Sequence, residues 1–392
     1  MSPISSETPD SEPATAPAEW RAGLFRLSLV PGFRGDALRR LLEAFGDLQT
    51  IHRQPWRRLA EALPARLAER VRAGLPVDAE AHALAWAAHP GNGVVSLLDP
   101  EYPEALKSLA DPPPILWLKG DPSLLQHPAL AMVGSRHATP RGLMDARAFS
   151  RHLGNAGLTI LSGLAEGIDG AAHEGALGTL GRTVAILGHG LDRIYPPAHR
   201  DLAHRIAAEG LLVSEYPLGT PALPAHFPER NRLISGMSLG VLVIEAALRS
   251  GSLSTARHAL EQGREVMAVP GSIHSPFSKG CHQLIRDGAT LVESAGDVWH
   301  QLAGPLARFN TLPGPLAPEP EPLAEKDPVL KMLQAGPASA DEIAAAIGLT
   351  ADRVSSILGR EELAGTIVRL TSGAYQRVTD QVSRSTLPMW DS

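Results

Sequence analysis

A chain of 392 residues, 44% of them hydrophobic, has the length for two or three domains and the material for a sizeable core. Its formal net charge of −6 argues against a basic surface spread over the whole molecule, but the acidic excess lies in residues 1–19 and 305–327, leaving the remainder formally neutral and free to carry a local basic groove. The single cysteine, Cys281, excludes an intrachain disulfide and fits a reducing cytoplasm, and apolar runs of only strand length predict neither a signal peptide nor a membrane span.

Residues 1–19, rich in Ser, Pro, Glu, Thr and Ala, read as a disordered tail. Residues 20–88 follow a short helical pattern, with Leu24 and Leu27, then Leu38, Leu41, Leu42 and Phe45 at helical spacing. The turn Leu29-Val-Pro-Gly-Phe-Arg-Gly35 between the first two helices has the glycines of a helix-hairpin-helix. Its amides either hold a phosphate or form an ordinary Pro-Gly turn. This part is expected to be a small SAM- or helix-hairpin-helix-like domain.

Residues 93–304 alternate strands and helices. Strands are expected at 115–118, 130–133, 159–162, 183–187, 211–214, 241–245, 266–269 and 290–292, with helices such as 141–155, 198–209 and 255–262 between them. Apolar strands alternating with helices predict the α/β class and an extended Rossmann-like, mostly parallel sheet, which binds ligands at the carboxyl ends of its strands. Residues 305–327 read as a Pro-rich acidic linker. Residues 328–378 read as a winged helix, three helices and a two-stranded wing, before a tail at 379–392. Its second and third helices carry Arg353 and Arg360 against Asp341, Glu342, Asp352, Glu361 and Glu362, which favours protein contact or a structural role over reading DNA.

Five Gly/Ser-rich loops follow expected strand ends. They contain Gly134, Ser135 and Arg136; Ser162 and Gly163; Gly188 and Gly190; Gly251 and Ser252; and Val269-Pro-Gly-Ser272. Glycine lets backbone approach a phosphate, and serine adds a hydroxyl donor, so five such loops at one sheet edge outline an anion-binding rim longer than a mononucleotide needs. The stretch Phe227-Pro-Glu-Arg-Asn-Arg-Leu-Ile-Ser-Gly-Met-Ser238 adds a helix expected to start at Pro228, with Phe227 just ahead of it and Arg230, Asn231 and Arg232 in its first turn. Arg230 shares a face with Leu233 and Ile234, so it either meets a phosphate or pairs with a buried Asp or Glu. Enzyme signatures are missing. There is no P-loop and no complete dinucleotide fingerprint, no Gly-x-Ser-x-Gly elbow stands out, and the histidines are scattered without metal-ligand spacing, so neither cofactor nor metal is expected. Asp169 and Asp192, the acids inside glycine-rich loops, are expected to fix their own turns.

These motifs resemble the DNA-processing protein A (DprA, or Smf) family. Carrying the resemblance are Gly134-Ser-Arg136, Ser162-Gly-Leu-Ala-Glu-Gly-Ile-Asp169, Gly190-Leu-Asp-Arg-Ile-Tyr-Pro196, Ser214-Glu-Tyr-Pro-Leu-Gly219, the 227–238 stretch, Ser250-Gly-Ser-Leu-Ser-Thr-Ala256, Gly263-Arg264 and Ala268-Val-Pro-Gly271. The resemblance implies a non-catalytic, cytoplasmic homodimer that binds single-stranded DNA, protects it and loads RecA recombinase onto it during natural transformation. It implies DNA contacts at Ser135, Arg136, Ser162, Gly163, Phe227, Arg230, Asn231, Gly251 and Ser252. The chain departs from the family pattern at His199 and His282, where Asn is usual, and at Pro224-Ala-His226, which lacks a common Lys. A rival enzymatic reading, a nucleotide phosphoribohydrolase of the lysine-decarboxylase-like family, needs a catalytic Glu where this chain has His258.

Overall fold

The computed structural model describes residues 18–76, 78–307, 309, 328–333, 336–363, 366–370 and 373–377. Most of the expected N-terminal tail, most of the linker and the whole C-terminal tail lie outside them. The chain divides into two compact units, residues 1–316 and 317–392.

In the first unit, strands β1 (Asn92–Ser96), β2 (Ile115–Gly120), β3 (Ala129–Val133), β4 (Thr159–Ser162), β5 (Thr183–Leu187), β6 (Leu211–Ser214), β7 (Gly240–Val243), β8 (Glu265–Ala268) and β9 (Thr290–Leu291) form one sheet. Their order is β1-β2-β6-β5-β4-β3-β7-β8-β9. The seven strands from β6 to β9 in that order pair in parallel, and β2 and β1 add an antiparallel edge. The strand Asn92–Ser96 carries a Gly and a polar residue at each end and was not anticipated; Val94 and Val95 are its only strong β formers. Successive side chains enter cores on opposite faces, as with Leu130 and Met132 against Ala131 and Val133. Both faces are covered, so the strands read as nearly continuous apolar runs.

The N-terminal helices, Ala18–Ser28, Gly35–Phe45, Leu48–Arg53, Trp56–Ala60, Ala65–Ala73 and Ala79–Ala87, share a core with this sheet. Trp117 of β2 is fully buried, and the rings of Phe25 and Trp86 each lie 5.7 Å from it. The glycine turn is spent on the same interface. The Asp36 amide donates to Asp111 Oδ1 at 2.9 Å, Arg39 donates to the Ala110 carbonyl, and a Cβ on Gly35 would collide with the Pro112 carbonyl. The helix start that resembled a phosphate site is thus faced by a carboxylate of its own chain.

The second unit has helices Pro328–Met332, Ala340–Ile347 and Ala351–Leu363, and an antiparallel pair, β10 (Ile367–Arg369) with β11 (Tyr375–Arg377). Its core is Val329, Leu333, Ile343, Val354, Leu358 and Ile367. Ser339 and Glu342 form a capping box, which fixes the second helix's start. The winged-helix expectation holds for these elements.

Candidate nucleic-acid interface

The sheet order reverses at β3. From there the chain builds β4, β5 and β6 on one side, then crosses back to place β7 on the other. A crevice opens at the carboxyl ends of strands beside such a reversal. The five Gly/Ser-rich loops follow β5, β4, β3, β7 and β8, which are consecutive in the sheet. At the usual strand separation of about 4.8 Å they span roughly 19 Å.

The loops are bound to one another. The Ser135 amide donates to the Glu245 carbonyl at 2.6 Å, and the Ile168 amide donates to the Ser135 carbonyl at 3.1 Å. Gly167 lies at φ 78°, ψ −127°, where only glycine sits without strain, and a Cβ there would collide with the Ser135 carbonyl. The half-buried Glu245 carboxylate accepts from the Thr139 amide (2.9 Å) and hydroxyl (2.6 Å), fixing the residue that caps helix Pro140–Asn155. Strand β7 ends at Val243 rather than at 245, which frees Glu245 for this task.

The helix of the β6–β7 crossover, His226–Gly236, begins two residues before Pro228. Phe227 therefore lies inside the first turn, not ahead of it. First-turn amides have no intrahelical acceptor, so Pro fits anywhere in that turn. Arg230 is 3% exposed. Its Nη1 donates to the Gly163 carbonyl at 2.9 Å and to the Ile186 carbonyl. Gly163 in turn donates its amide to Asp169 Oδ2 at 3.1 Å, so one peptide residue links the buried cation to the buried anion. Burial lowers the Arg230 pKa to about 10, against the attraction of Asp169, and burial also pushes the Asp169 carboxyl up against Arg230. Asp169, which also faces the Ala165 amide, thus fixes its own turn as expected, whereas Asp192 accepts the Gly219 amide at 2.9 Å and so ties its loop to a different one, 27 residues on.

Phe227 is half-buried, with the exposed Arg136 guanidinium 5.7 Å over its ring and the Tyr195 ring 5.5 Å away. Asn231 Nδ2 donates to Ser254 Oγ at 2.9 Å and meets the Gly251 carbonyl at 3.5 Å, tying this helix to the exposed Gly251. Arg232 is turned elsewhere. It pairs with Glu215 at 2.6 Å and Asp111 at 3.5 Å, and burial raises the Glu215 carboxyl pKa while Arg232 opposes it. Arg34 joins this edge from the N-terminal helices, pairing with Glu229 and lying 5.8 Å over the Tyr216 ring. Of the remaining expected contacts, Gly134 is half-buried. Ser135, Ser162, Gly163, Gly188, Gly190 and Ser252 are buried, with Ser162 donating to the Met132 carbonyl at 2.6 Å.

The three departures from the family pattern share one role in the structure. His199 Nδ1 meets the Leu164 carbonyl at 3.0 Å, His226 Nδ1 the Gly188 carbonyl at 3.2 Å, and His282 Nε2 the Gly271 carbonyl at 3.0 Å. Each braces a different rim loop. Sequence reasoning missed Tyr195, Tyr216, Glu215 and Glu245. Tyr195, Glu215 and Tyr216 all lie in motifs given above, and Tyr195 was legible as an aromatic in a loop; the other three acquire their roles only from partners elsewhere in the chain.

His173, beneath the β4 loop, gives a pH prediction. It is fully buried, and Thr183 Oγ1, which donates to Ile160, accepts its Nδ1–H at 2.7 Å. Burial, with smaller contributions from His199 and Arg230, lowers its pKa to about 3. An unfolded His titrates near 6.5. Between those values only the unfolded chain takes up the proton, so stability is lost as pH falls below about 6.5. By pH 5 this histidine alone costs about 2 kcal/mol. Chemical denaturation at pH 7.5 and 5 checks this, and His173→Asn removes that share of the loss.

Among the described residues, no group of three or more His, Cys, Asp or Glu is placed to hold a metal ion, and no helix is long and apolar enough to cross a membrane. The family model for DNA recombination-mediator protein A matches residues 93–303, and that for the DprA winged helix domain matches residues 313–373. The chain is 47% identical over 220 residues to Protein Smf of Escherichia coli, a match covering 56% of this chain and 59% of that protein. It is 47% identical over 203 residues to DNA processing protein DprA of Streptococcus pneumoniae, covering 52% of this chain and 72% of that protein. The X-ray structure of the latter aligns with a TM-score of 0.62 at 36% identity, covering 75% of this chain and 99% of that one.

Proposed function

Because this chain belongs to the DNA recombination-mediator protein A family, we propose that it binds single-stranded DNA along the carboxyl edge of its sheet and passes the strand to RecA recombinase, itself catalysing no reaction. The observation that carries this reading is the run of five consecutive loops, roughly 19 Å long, with an arginine and two aromatic rings grouped beside it. Such a length suits a polymer, and rings in reach of solvent suit unpaired bases, because every base has a face to stack.

Arg136 supplies a phosphate contact, Phe227 a stacking surface, and Asn231, Gly134 and the exposed Gly251 the neighbouring polar edge. The buried Ser135, Ser162, Gly163, Gly188, Gly190, Arg230 and Ser252 hold the loops in place from beneath, and Arg232 holds the crossover helix through Glu215. Protection of the incoming strand, RecA loading in natural transformation, a homodimeric state and a cytoplasmic location complete the proposal and rest on family membership. Mobility-shift titrations of single-stranded and duplex oligonucleotides of equal length, at several salt concentrations, test it. The single strand should bind more tightly at every salt. Equal affinity for the two would overturn the reading, since paired bases cannot reach the rings.

A further inference from the structure

The β5 loop carries an aromatic ring that packs on one neighbour and is otherwise left in solvent. Tyr195 is 45% exposed, and its hydroxyl takes no hydrogen bond among the described residues. The backbone around it is nevertheless held firmly. His189, 1% exposed, lies with Nδ1 3.0 Å from the Gly190 carbonyl and also faces the Tyr195 carbonyl. The Gly190 amide donates to the Thr220 carbonyl at 3.1 Å, and Asp192 accepts the Gly219 amide. Leaving a large ring half in water while bracing the loop beneath it positions that ring toward solvent.

Its neighbours indicate what it meets. The Tyr195 and Phe227 rings are 5.5 Å apart and tilted by 35°, within the range of offset aromatic contact. Arg136 sits 5.7 Å over Phe227. The three side chains come from the β3 loop, the β5 loop and the crossover helix, so the cluster bridges β4. Phe227, half-buried, lies between the two others and keeps part of its ring in solvent; Tyr195 and Arg136 are the more exposed members.

We propose that Tyr195 is a second base-stacking platform, taking the base next to the one on Phe227 in a single strand whose phosphate is held by Arg136. This rests on the single-strand reading above and adds a subsite to it. The contribution lies in the ring, not the hydroxyl, and a base stacked on it releases few counterions.

The test measures single-strand affinity at several salt concentrations for wild type, Tyr195→Ala and Tyr195→Phe, with thermal unfolding of each. Tyr195→Ala should bind about tenfold more weakly with the salt slope unchanged, and Tyr195→Phe should bind like wild type. A second arm moves one abasic nucleotide along the oligonucleotide. Wild type should lose affinity at two adjacent positions, and Tyr195→Ala should become insensitive at one of them. Undiminished affinity in Tyr195→Ala, or equal loss in Tyr195→Phe, overturns the proposal while leaving the broader reading standing. Should Tyr195→Ala melt early, the wild-type abasic profile decides: one sensitive position instead of two overturns it. Wild type without preference for single strands overturns the broader reading instead.

Discussion

Arg230→Ala should lower the free energy of unfolding by about 3–5 kcal/mol, the range for stripping a buried charge of its counterpart. The structure supplies the reason. At 3% exposure the guanidinium holds the Gly163 and Ile186 carbonyls, at the carboxyl ends of β4 and β5. Its loss leaves two buried acceptors unmatched, Asp169 without the nearby cation, and a cavity. Arg230→Lys should recover little, since an ammonium lacks the planar fork. Single-strand affinity should fall because the β4 and β5 loops lose their common anchor. The slope of log affinity against log salt should stay at the wild-type value, measured where the variant is folded. A direct phosphate contact makes the opposite forecast, an unchanged melting temperature with the slope reduced by about 0.7. Thermal unfolding and a salt series on one preparation separate the two.

Gly167→Ala is expected to be the most damaging glycine substitution in the rim. Its φ of 78° is unfavourable for any residue with a Cβ, and the added methyl would collide with the Ser135 carbonyl and come 2.7 Å from that of Arg136. Both obstacles are backbone, which cannot swing aside as a side chain would. The left-handed backbone and the overpacking together should cost about 2–5 kcal/mol. Forcing the β3 and β4 loops apart also breaks the Ile168 amide bond to Ser135 and moves Arg136 away from Phe227, so binding should drop in molecules that still fold. Gly251→Ala is the control. No atom lies within 4 Å of a Cβ built there, so stability should stay within about 0.5 kcal/mol of wild type. Equal melting temperatures for Gly167→Ala and Gly251→Ala would refute the account.

Much of the architecture was legible because its signals are local. Thr159–Ser162, Thr183–Leu187 and Leu211–Ser214 are apolar runs of strand length bounded by turn residues, and all three form strands with those limits. Helices Ala340–Ile347 and Ala351–Leu363 follow equally from their spacing. The antiparallel strand Asn92–Ser96 was not legible, because its propensity is weak and its pairing with β2 supplies the order. The start of helix His226–Gly236 was misplaced by two residues, because Pro is compatible with every position of a first turn.

The class of the fold, the order of its elements, the placing of five Gly/Ser loops at one edge and the family resemblance are all readable along the chain. These depend on periodicity and on residue types close together in the chain. Which of the charged and polar groups near that edge face solvent depends instead on long-range packing. Arg232 and Ser162 looked as available as Arg136, and Arg230 stood between a phosphate and a buried acid. Yet Arg230 is covered by the β4 and β5 loops, Arg232 is held by Glu215 and Asp111, and Ser162 donates to Met132 inside the sheet, while Arg136 stands exposed over Phe227. Accessibility depends on what distant segments pack on top of a residue, and no pattern within its own neighbourhood carries that information.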